Sequence, residues 1–120
     1  MPWSHTFDDR GFVWVCATGR LTLAELTTGR DMVLADSRLG PSTRFLLDYR
    51  EVEQIELPVD TVRSLALAPW YTPQSRRAFL AGSDLGYGMG RMYQIYAEAG
   101  KGGVVEVFRD LPSALDWLCR

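Results

Sequence analysis

Apolar residues recur along the chain in two kinds of run: short continuous stretches, and longer ones spaced by three or four. Residues 3–7 and 12–17 are apolar-rich and flank Asp8-Asp9-Arg10-Gly11, a turn set whose glycine can take positive φ, so the pattern predicts an N-terminal β-hairpin. Thr22 stands three residues before Glu25 at capping-box spacing, and Leu23, Leu26, Arg30, Val33 and Ser37 share one face, which predicts a helix over 23–39 ended by Gly40-Pro41. Arg44 to Tyr49 carries three successive apolar residues, as a strand covered on both faces does. Residues 50–57 read as a short polar connection. A helix then opens at Pro58 or Asp60, with Val59, Val62, Leu65, Ala66 and Pro69 at spacings of three or four, and stops near the stiff stretch Pro69-Trp70-Tyr71-Thr72-Pro73.

The final forty-odd residues are the clearest. Residues 76–81 read as a buried strand, 82–88 as a glycine-rich turn, and Met89, Met92, Tyr93 and Tyr96 recur at helical spacing. A strand over 103–108 follows, then a helix over 110–118 capped by Asp110. Two successive strand-then-helix units with short connections require a parallel sheet, because parallel neighbours need a crossover that a helix supplies. The order is ββαβαβαβα. Strands near 44–49, 77–81 and 104–108 should be mutually parallel with right-handed crossovers, in an α/β fold of one domain over 1–120.

Length and composition agree with that reading: 120 residues, 47% hydrophobic and 23% charged, are ordinary for one folded domain. A net charge of -2 with scattered arginines offers no field for a phosphate backbone, so nucleic acid is not expected as a partner. Cys16 and Cys119 are too few for a disulfide framework, and the N-terminus lacks a basic region followed by an apolar one. No apolar run approaches the ~20 residues that span a bilayer. The expected location is the cytoplasm.

Four stretches together resemble a known family: "GRLTLAEL" (19–26), "RFLLDYREVE" (44–53), "RAFLAGSDLGYGMGRMYQIYAE" (77–98) and "VEVFRDLPSALDWL" (105–118). In order and spacing they look like the small STAS-like proteins of the SpoIIAA superfamily, relatives of anti-sigma-factor antagonists. The resemblance covers almost the whole chain. It implies four strand-helix turns behind an added antiparallel strand, and a role in binding partners instead of catalysis. In the antagonists a serine lies in an Asp-Ser-Ser-Gly stretch about ten residues after a strand ending in Asp, and its phosphorylation controls partner binding. Counting from Asp48, this chain has Glu56-Leu57-Pro58-Val59 there, and Thr61 falls inside the first helical turn. The switch is not carried over.

Candidate chemistry is sparse. His5 is the sole histidine and reads as a solvent-facing residue of an edge strand, which excludes a metal site built on several imidazoles. Gly82-Ser83-Asp84-Leu85-Gly86 lacks the nucleophile-elbow pattern, and the glycines at 82, 86, 88 and 90 match neither the dinucleotide fingerprint nor a P-loop. Those glycines read first as turn and helix-packing positions, and alternatively as backbone that can face an anion. Open α/β sheets bind ligands beyond the carboxyl ends of their strands, where Asp48, Tyr49, Arg50, Ser83, Asp84, Gly86 and Gly88 should gather. Met89, Met92, Tyr93 and Tyr96 are expected in the core. Trp70 and Tyr71, with Trp3 beside them, are the candidate protein-contact residues.

The sequence thus predicts a STAS-like α/β domain that is non-enzymatic, uses no metal or cofactor, and acts as a regulatory protein-interaction module with an unidentified protein partner, a homodimer being one such assembly. Its rival is a small-ligand module, for an anion, a nucleotide or a lipid-like molecule, at the carboxyl edge of the strands. The chain's length leaves little room to enclose an acyl chain beside a core.

Overall fold

The computed structural model describes residues 3–67, 74–99 and 103–120. Strands β1 (Trp3–Phe7) and β2 (Phe12–Thr22) form the predicted hairpin, and Gly11, at φ 91°, supplies its turn. Helix α1 (Leu23–Leu34), β3 (Arg44–Glu56), α2 (Val59–Leu67), β4 (Arg76–Ala81), α3 (Asp84–Ala99), β5 (Val104–Phe108) and α4 (Leu111–Leu118) complete the order ββαβαβαβα. No described helix is long and apolar enough to cross a membrane.

The strands lie in one sheet in chain order, β1 antiparallel to β2 and the other neighbours parallel, so the three strands expected to be mutually parallel are so. When each parallel strand is added on the same side of its predecessor with crossovers of one hand, every crossover helix falls on one face. Accordingly α1, α2 and α3 cover one face, while α4, which follows the last strand, covers β3, β4 and β5 on the other. The pleat sorts the side chains. Val13, Val15, Phe45 and Leu47 point to the three-helix face, and Phe12, Leu46 and Ala78 pack with Ala114 and Leu118 of α4.

Four local readings need correction. Helix α1 stops at Leu34 instead of Leu39, because the Asp36 carboxylate accepts from the backbone N–H of Arg38 at 3.0 Å, a local turn that competes with helix; Ser37 lies beyond the helix. Helix α3 begins at Asp84, so the stretch expected as a turn is largely helical: Ser83 Oγ accepts from the N–H of Gly86 at 3.0 Å, as a cap does, and a Cβ at Gly90 would stand 3.1 Å from Val107, so the glycine lets the helix lie close on β5. Residues 50–56, expected as a connection, continue β3. Trp3 is 8% exposed and not a surface aromatic, its ring lying where a Cβ on Gly29 of α1 would be.

Candidate functional site

The three-helix face is not fully packed. Between it and the sheet, toward the carboxyl ends of β3 and β4, lies a cavity of about 110 Å³ with an apolar lining. Leu47, Tyr49 and Phe79 form its floor, Leu26 and Val33 of α1 and Val62 and Leu65 of α2 its roof, and Met89 and Tyr93 of α3 one side. Well-packed interiors hold few voids larger than a water molecule, so this space is the candidate site.

A row of rings crosses the floor. Trp3 meets Tyr49 edge-on (centroids 5.9 Å apart), Tyr49 meets Phe79 (5.5 Å), and Phe79 meets Tyr93 (5.2 Å), all at tilted or T-shaped angles that suit the ring quadrupoles. Arg77 anchors the far end. It is 1% exposed, its Nη1 donates to the Tyr93 hydroxyl at 2.6 Å, and its guanidinium lies 5.5 Å from that ring's centroid.

The extension of β3 forms the remaining wall. β4 pairs with β3 only as far as Tyr49, but β2 pairs with it to Glu56, so a two-stranded ribbon runs past the edge of the sheet. Within it Thr18 lies two residues after Cys16 while its partner Glu51 lies three after Asp48, and Arg20 follows Gly19 directly while Gln54 lies two after Val52. Each extra residue is a bulge, and each changes which positions face inward. The inward set runs Leu47 and Tyr49, then Val52, then Ile55 and Leu57, all lining the cavity, while Arg50, Glu51, Glu53, Gln54 and Glu56 stay exposed.

The residues expected to gather at one ligand edge divide. Tyr49, Ser83 and Gly86 line the cavity. Asp48 and Arg50 do not, since Asp48 is one residue from Tyr49 on a pleated strand and so faces the α4 side. There the Arg50 guanidinium donates to both Asp48 oxygens at 2.9 and 2.8 Å, and Trp14 Nε1 donates to Oδ2 at 3.1 Å. Burial pushes the Asp48 carboxyl up, but the hydrogen bonds from Arg50 and Trp14 outweigh it and hold the group below its ordinary value. The neighbouring Cys16 thiol is pushed up by burial and by the Asp48 charge. Asp84 is exposed and accepts from Arg109 at 2.6 Å, and Gly88 has open space around it, so neither reaches the cavity. Nothing in the structure explains why position 88 is glycine. Gly82 instead marks a backbone crossing, as a Cβ there would stand 2.4 Å from the Arg50 carbonyl oxygen.

The other candidates fall out as follows. Met89 and Tyr93 line the cavity instead of filling a closed core, while Tyr96 packs on the cluster of Ala66, Ala97 and Val105. His5 is not solvent-facing: it shares the helix-side face with Trp3, and its Nε2 lies 3.1 Å from Asp36 Oδ2. The Asp36 carboxyl is held far below its ordinary value, first by the Arg38 guanidinium and backbone N–H and then by His5. Thr61 sits in the first turn of α2, its N–H donating to the carbonyl of Pro58. Cys16 and Cys119 are free thiols. Trp70 and Tyr71 lie outside the described residues. Val52, Ile55, Leu57, Phe79, Arg30 and Arg77 were missed by sequence reasoning, and the trace that existed was the spacing of the three apolar residues in an otherwise polar stretch.

Comparison with known proteins places the architecture. No protein-family model matches the chain, and no curated protein matches it. A crystal structure at 2.25 Å of an uncharacterized protein of the DUF3478 family with a SpoIIAA-like fold, from Shewanella loihica PV-4, is similar with a TM-score of 0.62 over 98% of this chain and 92% of that one, at 22% identity. The chain therefore has a SpoIIAA-like fold, the architecture implied by the stretches that resemble the STAS-like proteins.

Proposed function

We propose that this domain is a non-catalytic binding module that holds a small apolar ligand between its sheet and α1, α2 and α3. The observation that carries this reading is the apolar cavity at the carboxyl ends of β3 and β4, the place where open parallel sheets take ligands. Its size limits the occupant. A dry cavity of about 150 Å³ holds benzene, so about 110 Å³ sets a single ring or a short branched chain as the upper limit and leaves no room for a long acyl chain. The floor of rings suits a flat or compact group. The residues with polar side chains among the described lining are Tyr49, Tyr93, Ser83 and Arg30, and the histidine is engaged with Asp36 across the fold, an arrangement that favours holding a molecule over transforming it. The rival reading as a protein-interaction module rests on Trp70 and Tyr71, which lie outside the described residues, and the apolar cavity is what supports the ligand reading.

Thermal denaturation with toluene, benzyl alcohol and palmitate tests the reading. The two ring compounds should raise Tm in a saturable way and palmitate should not. Val52→Phe, which puts a ring into the space, should remove the rise while leaving the unliganded protein folded. No rise with either ring compound, or an undiminished rise in a folded Val52→Phe, would overturn it.

A further inference from the structure

Helix α3 buries Gly90, Gln94 and Ala97 against the sheet and turns a second apolar stripe the other way. Leu85, Gly88, Met92, Ile95 and Ala99 follow one another at spacings of three, four, three and four, the repeat of a helix-pairing seam. At about 100° per residue the stripe is centred opposite the buried face. Leu85 and Ile95 are 60% and 61% exposed, and a Cβ on Gly88 would meet nothing within 4 Å. A glycine inside a helix costs stability relative to alanine, and packing within one chain gives position 88 no return for it. A second helix lying on the stripe does, because the missing side chain lets the two backbones approach closely.

One flank of the stripe carries charge. Arg91 and Glu98 are exposed and stand on the same side of the seam, two turns apart. The buried Gln94 holds both: its Oε1 accepts from Arg91 Nη1 at 2.9 Å, and its Nε2 donates to Glu98 Oε1 at 3.2 Å. Gln94 is neutral, so it positions the two charges without neutralising either. Such a face is complementary to itself. In an antiparallel pair about a two-fold axis, with Met92 level with the partner's Ile95, Gly88 lies level with the partner's Ala99 and Arg91 stands beside the partner's Glu98, and the axis repeats each contact. Sliding one copy by a heptad sets Arg91 against the partner's Arg91 and Asp84 against the partner's Glu98, like charge on like. A parallel pair sets Arg91 beside the partner's Tyr96. Charge therefore selects one arrangement. We propose that the protein self-associates through α3, a second copy of the chain covering the Leu85–Ala99 stripe in this antiparallel register. A single pair of helices buries less than the ~1,200 Å² of a stable interface, so the dimer is weak and forms with concentration, whether or not the cavity holds a ligand.

Sedimentation equilibrium of the whole chain, over a concentration series reaching the millimolar range, tests the assignment. Wild type should pass from monomer to dimer. Ile95→Lys, at an exposed position, should stay folded and monomeric throughout. Arg91→Glu and Glu98→Arg should each weaken association about tenfold, since both symmetry-related pairs turn from attractive to repulsive. A mixture of the two reversed chains should recover association, because each then offers the other an opposite charge, a response that damage to the helix or to the Gln94 contacts does not produce. Wild type that is monomeric at every concentration, association that survives Ile95→Lys or either reversal, or a mixture that stays monomeric overturns the assignment.

Discussion

The two faces of the sheet are built from similar residues and packed to different ends. On the α4 side one eight-residue helix covers three strands, and Leu46, Ala78, Leu80, Ala114 and Leu118 are all fully buried with no access to solvent. On the opposite side three longer helices share the cover and still leave a void lined by large aliphatic and aromatic groups. More helix does not mean tighter packing. Alanines at 78 and 114 let α4 settle onto the strands, whereas on the other face the aromatic row of Trp3, Tyr49, Phe79 and Tyr93 and the curled ribbon of β3 fill the space beneath the helices with shapes that do not close it. Completeness of packing is a property for stability, and its local absence is a property for binding.

Substitutions can break this contrast. The largest expected effect is on the dense face: Leu46→Ala should lower unfolding free energy by about 2–5 kcal/mol, since the surroundings of a fully buried leucine in a central strand cannot collapse on the space it leaves; urea denaturation measures it, and a loss under about 1 kcal/mol would mean that the face is loosely packed after all. A matched pair comes next. Ala78→Val and Val52→Ile both enlarge an inward side chain, and the first should cost about 1–3 kcal/mol through overpacking while the second should be neutral or stabilising because the cavity receives the added carbon. Equal costs would show the void closed in solution. The smallest effect concerns the polar end of the α4 face. Because the Asp48 carboxyl titrates lower folded than unfolded, its contribution is fully present above the unfolded carboxylate value of about 3.9 and is lost as pH falls through the lower folded value. Asp48→Asn should therefore cost about 1 kcal/mol near neutral pH, and the difference from wild type should shrink progressively as pH falls below the unfolded carboxylate value; a gap in Tm that stays constant into acid would assign the effect to packing.

Most of the architecture was legible because its signals are local. Continuous apolar strands at 44–49 and 76–81, the Thr22 cap, in which Oγ1 accepts from Glu25 N–H at 3.2 Å, and the Asp110 cap, in which Oδ1 accepts from Ser113 N–H at 2.9 Å, each point to one element and agree with one another. The site was legible only in part, for two physical reasons. Gathering residues by their nearness to a strand end ignores the pleat, which sends Asp48 and Tyr49 to opposite faces. The bulges around residues 50 and 53 then break the alternation that identifies a strand, so Val52, Ile55 and Leu57 read as stray apolar residues in a polar link. The glycines of α3 misled in the same way. Their low helix propensity is local, and the cap at Ser83 and the contact at Val107 overrule it.

The one-directional strand order also sets a sequence of events. Along the chain each parallel strand is followed by the one that lies beside it, and each helix on the cavity side comes between two strands, so the cover of that face is synthesised step by step with the strands it shields. The opposite face has no such schedule. Phe12, Leu46 and Ala78 wait for α4, which emerges only after all five strands, and until then the best-packed surface of the finished domain is its stickiest one.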